Sequence, residues 1–321
     1  MNHQGTERCV LVTGASSGIG EAIVTALLEQ GFIVYAGARR VERMSHLADK
    51  GARVLALDIT DADSIAAVLT RIERDGVELD GLVNNAGYGS YGVLEEVPIE
   101  EARRQFEVNV FGLMALTREV LPCMRRRRRG RIVNIGSMAG RIWFPVGGWY
   151  HATKYALEAL SDALRVETRP FGLSVSLIQP GVIRSEWAAI ARKPLCENPP
   201  EAPYARIKRG MAEILADHSR AGTPEMIAEA VVHALTASRP RRRYARPRDA
   251  RILIFLHWLL PTWAWERGVR WLLARYARKA SDDNGGGASV DGDEAGPDSG
   301  PENSNESGNK SDGEKRGEAE S

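Results

Sequence analysis

An apolar run, Cys9-Val10-Leu11-Val12, leads directly into Thr13-Gly14-Ala15-Ser16-Ser17-Gly18-Ile19-Gly20. Apolar residues then recur at helical spacing, Ile23, Ala26, Leu27 and Leu28, until Gly31 stops the pattern. The reading that fits is a buried strand joined by a glycine-rich turn to a first helix. Glycines at such a turn let the backbone approach a pyrophosphate closely, and the helix N-terminus favours its negative charge. Gly14, Ser16, Ser17, Gly18, Ile19 and Gly20 are therefore expected to hold phosphates. The spacing is Gly-x3-Gly-x-Gly, which differs from the common Gly-x-Gly-x-x-Gly dinucleotide fingerprint.

Strand and helix alternate from there. Apolar runs at 32–37, 54–57, 79–83, 131–135 and 173–178 read as strands two to six. A helix from about Asp61 places Ile65, Val68, Leu69 and Ile72 on one face. A second runs through Phe106 and Asn109 towards Leu121, and a long third begins at Tyr150 and carries Leu157, Leu160, Leu164 and Val166. Alternation with buried strands predicts a doubly wound parallel sheet of Rossmann type, helices on both faces. Ligands in such sheets bind at the carboxyl ends of the strands. The glycine-rich turn, Asp58, Asn85, Ser137 and Pro180 all fall at such ends, so one site is expected.

Tyr150 and Lys154 stand four residues apart, with Ser137 thirteen residues before Tyr150. On a helix, positions i and i+4 share a face, which holds an ammonium beside a phenol. A cation there lowers the phenol's pKa towards a useful range, and a serine hydroxyl can stabilise charge on a substrate oxygen. The set suits proton transfer at a carbonyl or an alcohol.

With these residues in view, the chain resembles the short-chain dehydrogenase/reductase family, and within it the steroid and retinol dehydrogenase-like members. The matching segments run in family order: Thr13 to Gly20, Asp58, Asn84-Asn85-Ala86-Gly87, Asn109, Ser137, Tyr150 with Lys154, and Pro180-Gly181. The resemblance implies a nicotinamide cofactor and carbonyl/alcohol redox chemistry. It implies that Ser137, Tyr150 and Lys154 form the catalytic triad, with Asn109 holding a water behind Lys154. It also implies that Lys154 binds the nicotinamide ribose, that Asp58 contacts the adenine, and that Asn85, Ala86, Gly87, Pro180, Gly181, Val182 and Ile183 line the cofactor with Tyr150. Two positions depart from the family pattern: Gly136 where many members carry serine, and Ser185 where many carry threonine.

Charge argues for one dinucleotide over the other. The end of strand two reads Gly37-Ala38-Arg39-Arg40, with no carboxylate for a free ribose 2′-hydroxyl. A guanidinium suits a 2′-phosphate, so NADP(H) is expected with Arg39 and Arg40 as its contacts. The alternative for these arginines is a solvated turn. No His/Cys/carboxylate cluster has metal-ligand spacing, so no metal is expected.

Beyond Pro180 the chain predicts a long charged loop to about Gly222, covering an apolar substrate such as a steroid, retinoid or lipid-like molecule. Trp187, Ile190, Leu195, Tyr204, Ile207 and Met211 are candidates for one wall, and Trp143, Phe144 and Trp149 for the other. Apolar and basic residues over 251–275 predict two short amphipathic helices. These could cap the pocket, form a homo-oligomer contact or lie on a membrane. The expected domains are 1–245 catalytic, 246–279 a helical extension and 280–321 a disordered acidic tail. The arginine run at 125–129 reads as a helix C-terminus rather than a nucleic-acid contact. Cys9, Cys123 and Cys196 lack metal or redox spacing, and a cytoplasmic protein is expected, with membrane association open. Two functions stay open: an NADP-dependent oxidoreductase, and a non-catalytic NADP-binding sensor or scaffold.

Overall fold

The computed structural model describes residues 8–196, 202–219 and 221–285. Contacts divide the chain into a compact unit, Met1–Asn284, and a second, Gly285–Ser321. The acidic tail expected from 280 onward falls, after Gly285, outside the described residues.

Seven strands form one sheet in the order β3-β2-β1-β4-β5-β6-β7. They are β1 Cys9–Thr13, β2 Ile33–Ala38, β3 Arg53–Ala56, β4 Leu79–Asn84, β5 Gly130–Ile135, β6 Leu173–Pro180 and β7 Arg243–Arg246. Every pairing is parallel. β1 is buried along its whole length, as a central strand covered on both faces must be. One face packs on α1 Gly18–Glu29, α2 Ser45–Asp49 and α9 Pro224–Thr236 through Ile23, Leu27, Leu47, Ile227 and Val231. The other packs on α3 Ala62–Arg74, α5 Leu113–Arg127 and α6 Gly148–Thr168 through Ile65, Val68, Leu116, Met124 and Leu164. The doubly wound fold is the one expected. The strand order reverses between β1 and β4, so their carboxyl ends open a crevice there.

α4 Ile99–Phe106 passes through a π-helical stretch, Glu107–Gly112, into α5. Single π turns inside α-helices recur at functional sites. Asn109 lies in this one.

Two expected features differ. The predicted loop after Ser185 contains α7 Glu186–Cys196 and α8 Ala205–Ala216. Prolines and charges gave that segment the composition of a loop, yet Ala188, Ala191 and Leu195 share the buried face of α7, and Ile207 and Met211 pack from α8. The C-terminal helices are α10 Arg248–Leu259 and α11 Thr262–Gly285. α11 is long rather than short, and it continues past the expected boundary at 279. α7, α8, α10 and α11 meet over one end of the sheet in a third apolar cluster that includes Tyr91, Tyr150, Met211, Trp265, Val269 and Leu273.

Candidate functional site

The turn after β1 is built for close approach. Gly14 has φ +66°, and a Cβ there would meet Ala86 Cα at 2.7 Å. Gly20 lies under the same turn, where a Cβ would meet the Gly14 carbonyl oxygen at 2.2 Å. Asn85 ties the two sides of the crevice: its Nδ2 donates to the carbonyls of Thr13 and Gly14, both at 3.0 Å. Thr13 Oγ1 accepts from the backbone N–H groups of Asn85 and Ala86 at 3.0 Å. Ser17 is the N-cap of α1, and its side chain makes no capping bond. The first-turn N–H groups of α1 thus face the crevice without a cap of their own, which suits an anion. The glycine-rich turn therefore suits a dinucleotide's phosphates, with Asn85 and Ala86 packed beside it and Gly87 next in the chain.

Asp58, next to the end of β3, accepts from Thr60 N at 3.0 Å and from Thr60 Oγ1 at 2.7 Å. Burial raises its pKa, but the Thr60 bonds and the nearby Arg39 charge outweigh this and hold the carboxyl below its usual range. Arg39 and Arg40 are exposed at the end of β2. Arg43 is engaged elsewhere, donating to Glu186 of α7 at 3.0 Å.

Tyr150 and Lys154 lie on the buried face of α6, with Ser137 just after β5. Ser137 caps a short turn by accepting from Ala139 N at 3.1 Å and donates to the Pro180 carbonyl at 3.5 Å, its hydroxyl near enough to the Tyr150 phenol to favour the phenolate. Lys154 Nζ donates to the Ile135 carbonyl at 3.0 Å and lies 5.8 Å from the centre of the Tyr150 ring. The electrostatics differ from the expectation. Burial pushes the Tyr150 phenol up to about 12, with the Ser137 bond pulling the other way. Burial pulls Lys154 down to about 8. Desolvation dominates because both groups sit in an apolar shell that disfavours either charge.

Both amide hydrogens of Asn109 are used. It accepts from Tyr88 N at 3.0 Å and donates to the Tyr88 carbonyl at 2.8 Å and to Thr153 Oγ1 at 3.2 Å. It clamps the strand-four loop onto α6. His151, next to Tyr150, was not singled out from sequence. Its Nε2 accepts from Phe144 N at 3.2 Å, so the proton is on Nδ1, which donates to the Ala139 and Ile142 carbonyls at 2.9 Å. Burial lowers its pKa and keeps the ring neutral. His151 thus pins the loop that follows Ser137.

Over Tyr150 lies an aromatic roof. The rings of Tyr91 and Trp187 are centred 5.8 and 5.2 Å from that of Tyr150. Leu195, Ile207 and Met211 join this cluster, as do Trp143 and Phe144. Ile190 and Trp149 do not: Ile190 is exposed, and Trp149 packs on Phe106 instead. Tyr204 hydrogen-bonds Glu95, and the buried Lys208 pairs with Glu96, which fastens α8 to the loop before α4. Tyr91 was missed because it sits in an irregular segment with no periodicity to mark it. Pro180 ends β6, and Gly181, Val182 and Ile183 continue from it towards Gly222, whose N–H donates to the Val182 carbonyl at 2.9 Å.

A cavity of about 350 Å³ opens at the opposite, amino ends of the strands, among Arg8, Asp80, Arg128, Arg129 and Arg131. Its arginines have protein partners: Arg8 and Arg131 donate to the Leu235 and Ala234 carbonyls near the end of α9, and Arg129 pairs with Asp80. No cluster that could hold a metal occurs among the described residues.

Comparison with known proteins agrees with this geometry. Residues 8–194 match the family model described as short chain dehydrogenase. The NADPH-dependent 3-dehydrocapnine reductase of Ornithobacterium rhinotracheale is 34% identical over 250 residues, 74% of this chain and 87% of that protein. Retinol dehydrogenase 5 of Mus musculus is 33% identical over 298 residues, 85% of this chain and 91% of that protein. Among solved structures, a short-chain dehydrogenase from Streptomyces avermitilis superposes with a TM-score of 0.70 at 33% identity, covering 87% of this chain and 99% of that one.

Proposed function

The chain belongs to the short-chain dehydrogenase family of oxidoreductases, and from that premise we propose that it interconverts a ketone or aldehyde and an alcohol on a bulky apolar substrate, using NADP(H). One observation carries this reading: Ser137, Tyr150 and Lys154 are buried together beneath an apolar roof that includes Tyr91, Trp187 and Met211.

When bound, the nicotinamide supplies the hydride or takes it up. The chain's own residues do the rest. Gly14 through Gly20 hold the pyrophosphate at the start of α1. Arg39 and Arg40 meet the 2′-phosphate, Asp58 faces the adenine, and Asn85 to Gly87 with Pro180 to Ile183 line the remainder. In reduction, Tyr150 is the acid. Its phenol is protonated at neutral pH because burial keeps its pKa near about 12. It gives that proton to the substrate oxygen, while the Ser137 hydroxyl bonds the same oxygen. Lys154 stands behind with a charge that stabilises the phenolate left by the transfer, and it contacts the ribose. Asn109 keeps the strand-four loop fixed against α6.

The apolar roof supports a bulky substrate, and the reductase and retinol names of the relatives support the same class. The test is to follow NADPH oxidation with a panel of bulky and small ketones, for wild type and Tyr150→Phe. Turnover on bulky ketones is expected, with kcat lower by orders of magnitude in the variant and NADPH binding kept. Near-normal turnover of Tyr150→Phe would remove the acid assignment. Tight NADPH binding without turnover on any substrate, in either direction, would favour a non-catalytic sensor or scaffold instead.

A further inference from the structure

The two C-terminal helices carry apolar residues on two sides. One side joins the roof: Leu253 and Ile254 of α10 and Trp265, Val269 and Leu273 of α11 pack in the cluster that holds Tyr150. The other side is bare. Phe255, Trp258, Leu259 and Trp263 are 54, 73, 57 and 69% exposed. They surround the turn at Leu260-Pro261. There the chain bends back, since the rings of His257 and Trp265 lie 4.8 Å apart across it. Contiguous exposure of large apolar groups marks an interaction surface. No helix among the described residues is long and apolar enough to cross a membrane.

Charge and depth choose the occupant. Between 248 and 279 the sequence has Asp249 and Glu266 as its carboxylates against seven arginines and lysines. Arg251, Arg267 and Arg270 are exposed. A helix rises about 1.5 Å per residue, which sets Arg251 about 10 Å behind Trp258 along α10. By the same rise, Arg267 and Arg270 lie about 6 and about 10 Å behind Trp263 along α11. An apolar tip with guanidiniums set back on both arms matches a bilayer interface, where amphipathic helices bury about 5–10 Å deep. Tryptophan favours that layer, and anionic lipids attract the arginines. A second copy of the chain would instead bring like charges together. We propose that the turn between α10 and α11 seats in the headgroup layer of an anionic lipid bilayer, with Trp258 and Trp263 inserted and the arginines on the lipid phosphates.

The test floats the full chain with phosphatidylcholine vesicles, with and without phosphatidylserine, and records tryptophan emission. Flotation with the phosphatidylserine vesicles is expected, with a blue-shifted emission and weakening by salt. Arg267→Ala with Arg270→Ala should lower partitioning about thirtyfold, from the usual contribution of a basic residue at an anionic surface. Trp258→Ser with Trp263→Ser should abolish flotation and the blue shift, with the melting temperature unchanged. Failure to float on either vesicle overturns the proposal, as does wild-type flotation of the tryptophan variant. A wild-type dimer in light scattering that becomes monomeric in that variant assigns the face to a second copy. None of these readouts involves turnover, so they stand or fall apart from the oxidoreductase reading.

Discussion

The indole of Trp187 is centred 5.2 Å from the Tyr150 ring, the two planes inclined at 51°. Trp187 opens the first turn of α7, and Tyr91 closes the same space edge-on at 5.9 Å. The proposed acid therefore works beneath a residue of the segment whose composition reads as a loop and which folds as a helix. Trp187→Ala removes that contact but no proton-handling group. Apolar pocket changes of this size alter discrimination by about 1–3 kcal/mol. The preference for bulky over small ketones, as a ratio of kcat/KM values, should shift by roughly tenfold to a hundredfold. An unchanged ratio would mean that Trp187 does not border the substrate.

The buried pair predicts an asymmetric pH response. Reduction needs a protonated Tyr150 and a charged Lys154. With Lys154 near about 8 and Tyr150 near about 12, reductive kcat/KM should be flat below pH 8 and fall above it. Oxidation needs the phenolate and should gain as pH rises. A reductive profile that climbs through pH 8 contradicts this order of ionisation.

The same ammonium makes a stability prediction. The folded pKa of Lys154 is depressed from 10.5 to about 8. The unfolded state thus binds more protons between these values, and stability contributed by this group rises with pH across that window. Below pH 8 the full cost of burying the charge is present. Lys154→Met should raise stability at neutral pH by about 1–3 kcal/mol, the lost Ile135 bond offsetting part of the gain, while activity disappears. Tyr150 acts in the opposite sense: its raised pKa lets stability fall as pH goes from 10 towards about 12. Urea titrations of wild type and variant at pH 7 and pH 9.5 read the Lys154 slope. Equal midpoints at pH 7 would show that the ammonium is better solvated than its burial implies.

Cofactor choice rests on Arg39. Arg39→Ala should weaken NADP binding about tenfold to a hundredfold and NAD binding little, because a charge-assisted contact is worth about 1.5–3 kcal/mol. Isothermal titration with both dinucleotides decides it. Equal losses, or a wild-type preference for NAD, would remove the charge argument.

Removing residues after Gly285 should leave melting temperature and turnover close to wild type, because the roof residues lie before that point. Ending the chain before Arg248 strips Trp265, Val269 and Leu273 from the cluster around Tyr150. Each large buried apolar side chain contributes about 1.5–3 kcal/mol. That truncation should aggregate or lose its preference for bulky substrates. A soluble, monodisperse and kinetically normal product would show that the roof stands without α11.

Much of the framework was legible because its signals are local. β1, the glycine turn and α1 announce themselves by an apolar run, fixed glycines and helical spacing. β7 had no such signal: Arg243-Tyr244-Ala245-Arg246 is an edge strand held by β6, with Arg243 anchored on Glu158 and Asp162 of α6. α9 lay outside the expected elements although Ile227, Val231 and Leu235 share its buried face. α7 and α8 were hidden by Pro194 and by charges that pair across space, such as Lys208 with Glu96. At the site, residue types pointed to Tyr150 and Lys154, but not to the sense of their pKa shifts. Those depend on how much apolar surface the roof brings down, which no spacing encodes.

The proton-handling groups and half of the roof, Tyr91 and Trp187 included, come from one stretch of chain, and the other half comes from a later one. Ser137, Tyr150 and Lys154 lie within residues 8–194, the span of the family model. Met211, Trp265, Val269 and Leu273 lie after it and still reach Tyr150's cluster. What the chain does to an oxygen thus lies wholly in the earlier segment, while the space above it is shaped by both. Exchanging the later segment between relatives should shift substrate range while leaving the reaction intact, so diversification in this lineage has half a roof to vary over a fixed hearth.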